Sequence, residues 1–362
     1  MAGAGLALSV PLLALGLERA GFSGRANGLA TAIGGIATLF FAPLVPRLAA
    51  RWGLLRLMLA SIAGMVGAMA AFAATTDHPL AWFPLRMAYS CALTGLFVSS
   101  EFAINAMAPA DRRGVWIGLY STCLSLGFAA GPLVLHVAGS EGAAPFFAGM
   151  VLFALAAAPI AWGGAAFPAL GGRKSASTLA FLRRDPGLMS AALVFGAVET
   201  GAMGLLPVHA LRNGGTAEMG ALFVAALAIG NVLFQIPLGV LSDRVGRYGL
   251  LIAVAALTSF GAAGLALATG SAAFVPALVA WSGVASGLYM LGLAELGARY
   301  ARTDLAEANA VFIACYALGM ILGPPLAGTA LDLSPRHGLF LCLGLFGSVA
   351  LATLWAGKPP RH

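Results

Sequence analysis

The chain has 362 residues, of which 60% are hydrophobic and 9% charged, with a mean hydropathy of +0.93. A soluble domain carries roughly 25% charged residues, so an ordinary aqueous fold is excluded and lipid is the solvent for most of the chain. The formal net charge of +7 calls for no nucleic-acid partner, because the basic residues are distributed as a membrane topology signal facing anionic headgroups.

Apolar stretches of about 20 residues recur along the whole length, which is what an α-helix needs to cross a hydrocarbon core of roughly 30 Å. Only helices satisfy every backbone group inside such a stretch. The pattern predicts twelve spans, at 2–18, 26–46, 54–74, 80–104, 115–138, 144–166, 188–210, 218–241, 249–269, 273–298, 306–331 and 338–356. The expected fold class is an all-α membrane protein with six spans in residues 1–167, a linker over 168–187 and six spans in 188–362. No basic stretch precedes the first span, so it reads as a retained helix and not a cleaved signal.

In the first span Ser9-Val10-Pro11 aligns with Leu205-Leu206-Pro207 of the seventh at an offset of 196. On that alignment the first span is a turn or two short, through an upstream start or an open rim, and Gly3 stands where the seventh has Glu199. Between spans two and three, Ala50-Arg51-Trp52-Gly53 echoes the charged turn Gly239-Val240-Leu241-Ser242-Asp243-Arg244-Val245-Gly246-Arg247, with Gly53 and Gly246 193 residues apart. Pro46 and Ala50 occupy the positions of Gly239 and Asp243.

The fourth span holds Arg86 and Ser90 one turn apart and, further on, Glu101 with Asn105 one turn beyond it. Arg86 and Asn105 are cavity candidates; for Glu101 a hydrogen-bond network and a proton-coupling role both stand. Gly127, Gly131 and Pro132 of the fifth span recur as Gly319, Gly323 and Pro324 of the eleventh, 192 residues later. Glycines one turn apart admit a neighbouring helix and proline kinks its own, so a static seam and a mobile hinge both fit.

In the linker, Leu179 to Arg184 is expected to lie in the cytoplasmic interface as a short amphipathic piece. Glu199 falls mid-span with no basic residue within a helical turn, which suits a group that loads and releases a proton. Asn231 and Gln235 share a face of the eighth span, as cavity lining or as glue between helices. Glu295 precedes Arg299 by four in the tenth span, the favourable order for a structural ion pair. Cys91, Cys123, Cys315 and Cys342 read as small buried hydrophobes, His136 and His209 as interfacial residues without metal spacing, and neither a metal nor a cofactor is expected.

Of the 20 Lys and Arg, all but Arg19, Arg25, Arg86, Arg212 and Arg336 fall on one side of the predicted spans. Loops rich in these residues stay in the cytoplasm, which predicts an inner-membrane protein with both termini inside.

The run GVLSDRVGR resembles the loop signature of the major facilitator superfamily, the paired GxxxGP stretches resemble its antiporter-type motif, and Arg86 resembles its fourth-span arginine. The run Ser100-Glu101-Phe102-Ala103-Ile104-Asn105-Ala106 followed by Arg112-Arg113-Gly114 is similar to the small bacterial YcaD-like branch. The resemblance implies two six-helix bundles that alternate access to a central site. It also implies a conformational latch built from Gly239, Asp243, Arg244, Gly246 and Arg247, with Asp243 accepting from the helix N-terminus around Leu305. Ala50 and Pro46 depart from the signature, so the first-half latch is not expected to work.

No HExxH, paired-Asp metal motif or Ser-His-Asp set marks a membrane-embedded enzyme, and a passive channel would not need duplicated halves with a latch. The expected function is proton-coupled antiport, as efflux, of a small lipophilic or amphipathic molecule by a monomer, with a proton symporter importing a small metabolite as the alternative.

Overall fold

The computed structural model describes residues 1–107, 113–163, 184–300 and 302–357, without the side chains of 105, 106, 113–118, 121, 122, 125, 163, 243 and 302–307. The described residues are helical, with no strand among them. In chain order the helices are α1 (Ala2–Arg19), α2 (Gly24–Phe41), α3 (Val45–Trp52), α4 (Leu54–Ala74), α5 (Trp82–Met107), α6 (Arg113–Ala138) and α7 (Ala144–Gly163). They continue with α8 (Pro186–Arg212), α9 (Ala217–Val245), α10 (Arg247–Ala268), α11 (Phe274–Arg299), α12 (Arg302–Leu333) and α13 (Gly338–Ala356). All but the eight-residue α3 have at least 18 residues, so there are twelve long helices, and eleven of them have apolar windows long enough to cross a membrane.

Two boundaries depart from the hydropathy pattern. The second predicted span is broken: α2 ends at Phe41, a 3-10 turn covers Ala42–Leu44, and α3 follows. Pro43 and Pro46 lack the N–H that a continuous helix would use here. In the second half the reverse holds, because α9 runs unbroken to Val245, four residues past the predicted end of the span at 241, and takes in the first part of the charged turn. A Cβ at Gly239 would meet nothing within 4 Å, so this glycine is an ordinary helical residue. The turn itself is one residue, Gly246, at φ +88°, matched by Gly53 at φ +83°. Both glycines cap one helix and start the next in a conformation that L side chains avoid.

The chain falls into two compact units, Met1–Ala20 with Ile36–Arg173, and Gly21–Gly35 with Lys174–His362. In the first unit α1 packs on α6 and α7, and α4 packs on α5 and α7. A chain of edge-on rings, Phe146–Trp82–Phe72–Tyr89–Phe153, fills its centre at centroid distances of 5.8 to 6.3 Å. The Tyr89 hydroxyl is tied to Ser9 Oγ at 2.6 Å. In the second unit α8 is the central helix, packed on α9, α11, α12 and α13.

Each unit holds one seam where backbones touch. A Cβ on Gly131 would strike Ala4 O and Leu8 N of α1, and one on Gly127 would press on Ala4 N. Across the other seam, Gly319 and Gly323 of α12 leave no room against Leu193 and Ala197 of α8, and Gly196 leaves none against Tyr316 O. Gly3 faces Leu124 O at the corresponding place, less tightly, with its Cβ position 3.1 Å away. Gly3 and Gly196 are 193 residues apart and Leu124 and Tyr316 are 192 apart, so the helix-packing register differs by three from the proline-based alignment. Glu199 therefore corresponds to Leu6 and not to Gly3. Packing against a neighbour fixes the register of a repeat more firmly than a kink residue, whose place along a helix is freer.

The second unit also has a carboxylate clasp. Gly24 and Arg25 open α2, and their N–H groups, which lack helical partners, donate to Asp332 of α12 at 2.7 and 2.9 Å. Arg212 at the end of α8 donates to the same carboxylate at 2.7 Å. One acid thus acts as an N-cap for a helix 307 residues away in sequence.

Gly319→Ala overpacks a backbone seam and is expected to lower unfolding free energy in detergent by about 2 kcal/mol, whereas Gly239→Ala stays within about 0.5 kcal/mol of the wild type. Asp332→Ala leaves two N–H groups and a guanidinium without their acceptor and is expected to cost about 2 kcal/mol; a neutral result in chemical unfolding contradicts the clasp.

Candidate functional site

The side chains flagged for chemistry divide into three places. In the second unit a narrow crevice, with room for about one water, is lined by Phe195, Val198 and Glu199 of α8, Leu227 and Asn231 of α9, and Trp281, Ser282 and Ala285 of α11. Glu199 and Asn231, far apart in sequence, meet here. Gln235, one turn beyond Asn231, is exposed and does not line the crevice.

The Glu199 carboxylate accepts a hydrogen bond from the Tyr316 hydroxyl of α12 at 2.7 Å. Tyr316 belongs to a cluster of rings: Phe195 stacks on it at 6.0 Å, Tyr289 meets it edge-on at 5.4 Å, and Tyr289 also packs on Phe195 and Phe312. Trp281 donates to Thr258 O and Ser282 to Leu227 O, so the walls of the crevice are themselves bonded in place. The seam sets this geometry, because Gly196 and Gly319 bring α8 and α12 close enough for a tyrosine to reach a carboxylate one turn along. Tyr316 and Tyr289 carry no motif of their own; the spacing of Glu199 from the seam glycines is the signal in the sequence for the pair.

Arg86 is the second place. In the first turns of α5 it is 6% exposed, its Nη1 has no hydrogen-bond partner, and it forms no ion pair with a carboxylate among the described residues. Its nearest electrostatic neighbour is Tyr89, and Ser90 is buried one residue further on. A cation held out of water without a counter-charge is costly. Glu101 lies exposed further along α5. The side chain of Asn105 lies outside the described residues.

The third place is an ionic knot where α8, α10, α11 and α13 come together. Arg299 donates to Glu295 at 2.8 Å and to Asp185 at 2.6 Å, and Tyr300 donates to the other oxygen of Asp185. Arg299 also lies over the Tyr248 ring, whose hydroxyl reaches Leu354 O, and Arg184 lies over Tyr300. Burial and the Asp185 carboxylate push the Tyr300 phenol up to about 12. The i,i+4 pair is one edge of a larger structural knot, and Asp185, not singled out by the sequence, is its centre.

Of the latch residues, Gly239 and Arg244 are helical, Gly246 makes the turn, Arg244 is exposed and Arg247 half-buried. The Asp243 side chain, the Leu305 side chain, and the interfacial piece from Leu179 to Arg183 lie outside the described residues. Gly127, Gly131, Gly319 and Gly323 form the two seams, with Pro132 and Pro324 inside the helices beside them. Cys123 is exposed and not a buried hydrophobe, since its side of α6 is uncovered; Cys315 is buried. His136 is exposed, while His209, in the last turn of α8, is buried against Phe274 and Phe340. No group of three or more His, Cys, Asp and Glu gathers among the described residues.

Eleven helices long and apolar enough to cross a membrane, with ionisable groups on several of them, define a multi-pass membrane protein. The sequence model of the major facilitator superfamily matches residues 1–290 and again 188–362, and the chain belongs to that superfamily as a secondary transporter of small molecules. It is 28% identical over 297 residues to the MFS-type transporter YfkF of Bacillus subtilis, covering 77% of this chain and 73% of that one. To the MFS-type transporter YcaD of Salmonella typhimurium it is 24% identical over 286 residues, covering 77% and 74%. Likeness to solved structures extends to the nucleoside transporter NupG, with a TM-score of 0.73, 14% identity and 98% and 97% coverage. A D-xylose-proton symporter gives 0.76, 13%, 99% and 96%. These likenesses concern the fold.

Arg86→Met removes an uncompensated buried charge and is expected to stabilise the protein by about 2 kcal/mol in chemical unfolding. Equal or lower stability would mean that Arg86 has a counter-charge at rest.

Proposed function

We propose that this chain is a proton-coupled antiporter of the inner membrane that exports a small lipophilic or amphipathic molecule by alternating access. The observation that carries the reading is the Glu199 carboxylate in a crevice of apolar and aromatic side chains, held by a neutral hydroxyl and not by a cation. An acid in that setting can lose its proton only when water or a substrate compensates the charge, which is the condition for exchanging one against the other. The apolar lining by Phe195, Val198, Leu227 and Trp281 favours a substrate that carries hydrocarbon or aromatic surface. The excess of Lys and Arg on one side of the spans supports cytoplasmic termini.

One observation favours import of a metabolite with protons as the second reading. Arg86, buried and without an acid to pair with, suits a substrate carboxylate, and an anionic metabolite would enter together with protons.

The test begins with a ligand found by thermal stabilisation of the purified protein, since a binder raises apparent stability by mass action. Reconstituted in proteoliposomes, the wild type is expected to move that ligand against a proton gradient. Glu199→Gln is expected to retain exchange of labelled for unlabelled ligand but to lose the response to the gradient, by tenfold or more on the scale of a lost charged contact. Full gradient dependence in Glu199→Gln overturns the reading, and ligand movement in the same direction as protons selects the import alternative.

A further inference from the structure

The Glu199–Tyr316 contact is built on the seam that binds α8 to α12. Tyr316 leads directly into Gly319, Gly323 and Pro324, the stretch of α12 whose glycines rest on the α8 backbone at Leu193 and Ala197. Prolines 324 and 325 leave this part of α12 with missing backbone hydrogen bonds. The side-chain bond one turn before it is therefore placed to decide how firmly the segment is held.

The first unit shows what the same seam looks like without the pair. In register with Glu199 and Tyr316 stand Leu6 and Leu124, with Leu124 O against Gly3 as Tyr316 O is against Gly196. The seam is looser at this level, since a Cβ on Gly3 would only press on Leu124 O whereas one on Gly196 would collide with Tyr316 O, and the two leucines add no polar bond. The second unit thus carries an acid and a phenol at positions that packing alone fills with hydrocarbon. Burying both groups is unfavourable unless they bond each other, so packing does not explain their presence.

The groups facing Glu199 are few. Tyr316 of α12 donates to it, and Tyr289 of α11 lies one ring further away. Asn231 of α9 and Ser282 of α11 share its crevice, and no charged side chain among the described residues interacts with it. An ionised carboxylate accepts from Tyr316 in a charge-assisted bond, roughly twice as strong as a neutral one. A protonated carboxyl offers Tyr316 a weaker acceptor and needs an acceptor of its own, which Asn231 can supply across the crevice.

We propose that Tyr316 is a positioning residue that reads the proton on Glu199: it ties α12 to α8 while Glu199 is ionised and slackens the Gly319–Pro324 stretch when Glu199 is protonated. This rests on the reading of Glu199 as the proton-carrying group. The fold thereby has a local route from proton occupancy to helix movement, within one unit and without a long chain of couplings.

Hydrogen exchange of the full-length protein in lipid nanodiscs tests this, comparing α12 at acidic and alkaline pH after correction for the intrinsic pH dependence of exchange. In the wild type, opening of the segment around Gly319 to Pro324 is expected to increase about fivefold on acidification. Glu199→Gln is expected to be loose at both pH values, and Tyr316→Phe to lose the pH response while its melting temperature stays close to that of the wild type. A flat Glu199→Gln with a wild-type response in Tyr316→Phe overturns the role of Tyr316 alone. A wild-type response in Glu199→Gln overturns the underlying reading of Glu199. If Tyr316→Phe fails to fold, Glu199→Asp withdraws the carboxylate from the phenol by one methylene; a flat response supports the proposal and a fivefold response contradicts it.

Discussion

The close approach of α8 and α12 is the constraint on which the second unit depends. Gly196, Gly319 and Gly323 allow main chain to rest on main chain, and in lipid that contact takes the place of the hydrophobic drive that assembles helices in water. Once the two backbones are this close, neighbouring side chains are no longer free choices. Glu199 and Tyr316 come within hydrogen-bond distance, the rings of Phe195 and Tyr289 close around them, and α9 and α11 complete a crevice. The ionic knot at Asp185 and Arg299 and the clasp at Asp332 fasten the two ends of α8.

The two units keep the same seam and spend their polar residues differently. The first has Leu6 and Leu124 where the second has Glu199 and Tyr316, yet it buries Arg86, which pairs with no carboxylate among the described residues. An acid bonded to a neutral hydroxyl in one unit and, in the other, a buried cation with no carboxylate partner among the described residues are a difference that a strict duplication would not produce. Helix α2 adds a further inequality: its first two-thirds, with the turn before it (Gly21–Gly35), groups with the second unit and is held there by Asp332.

Most of the architecture was legible because lipid imposes a length rule. The boundaries 54–74 and 338–356 coincide with α4 and α13, where apolar runs end in polar turns. The rule failed where composition stays apolar but the backbone changes, as at Pro43 and Pro46 between α2 and α3, and where a polar run remains helical, as from Gly239 to Val245. Repeats in GxxxGP located both seams. The contacts Glu199–Tyr316, Arg299–Asp185 and Asp332–Gly24 were not legible, since each joins residues more than 100 positions apart and hydropathy carries no information about which faces meet.

The central claim is that Glu199 exchanges a proton in the folded protein. Infrared difference spectroscopy between acidic and alkaline pH tests it on the purified chain, with no substrate required. The account predicts a protonated-carboxyl band in the wild type that is absent from Glu199→Gln. Identical difference spectra for the two proteins would contradict it.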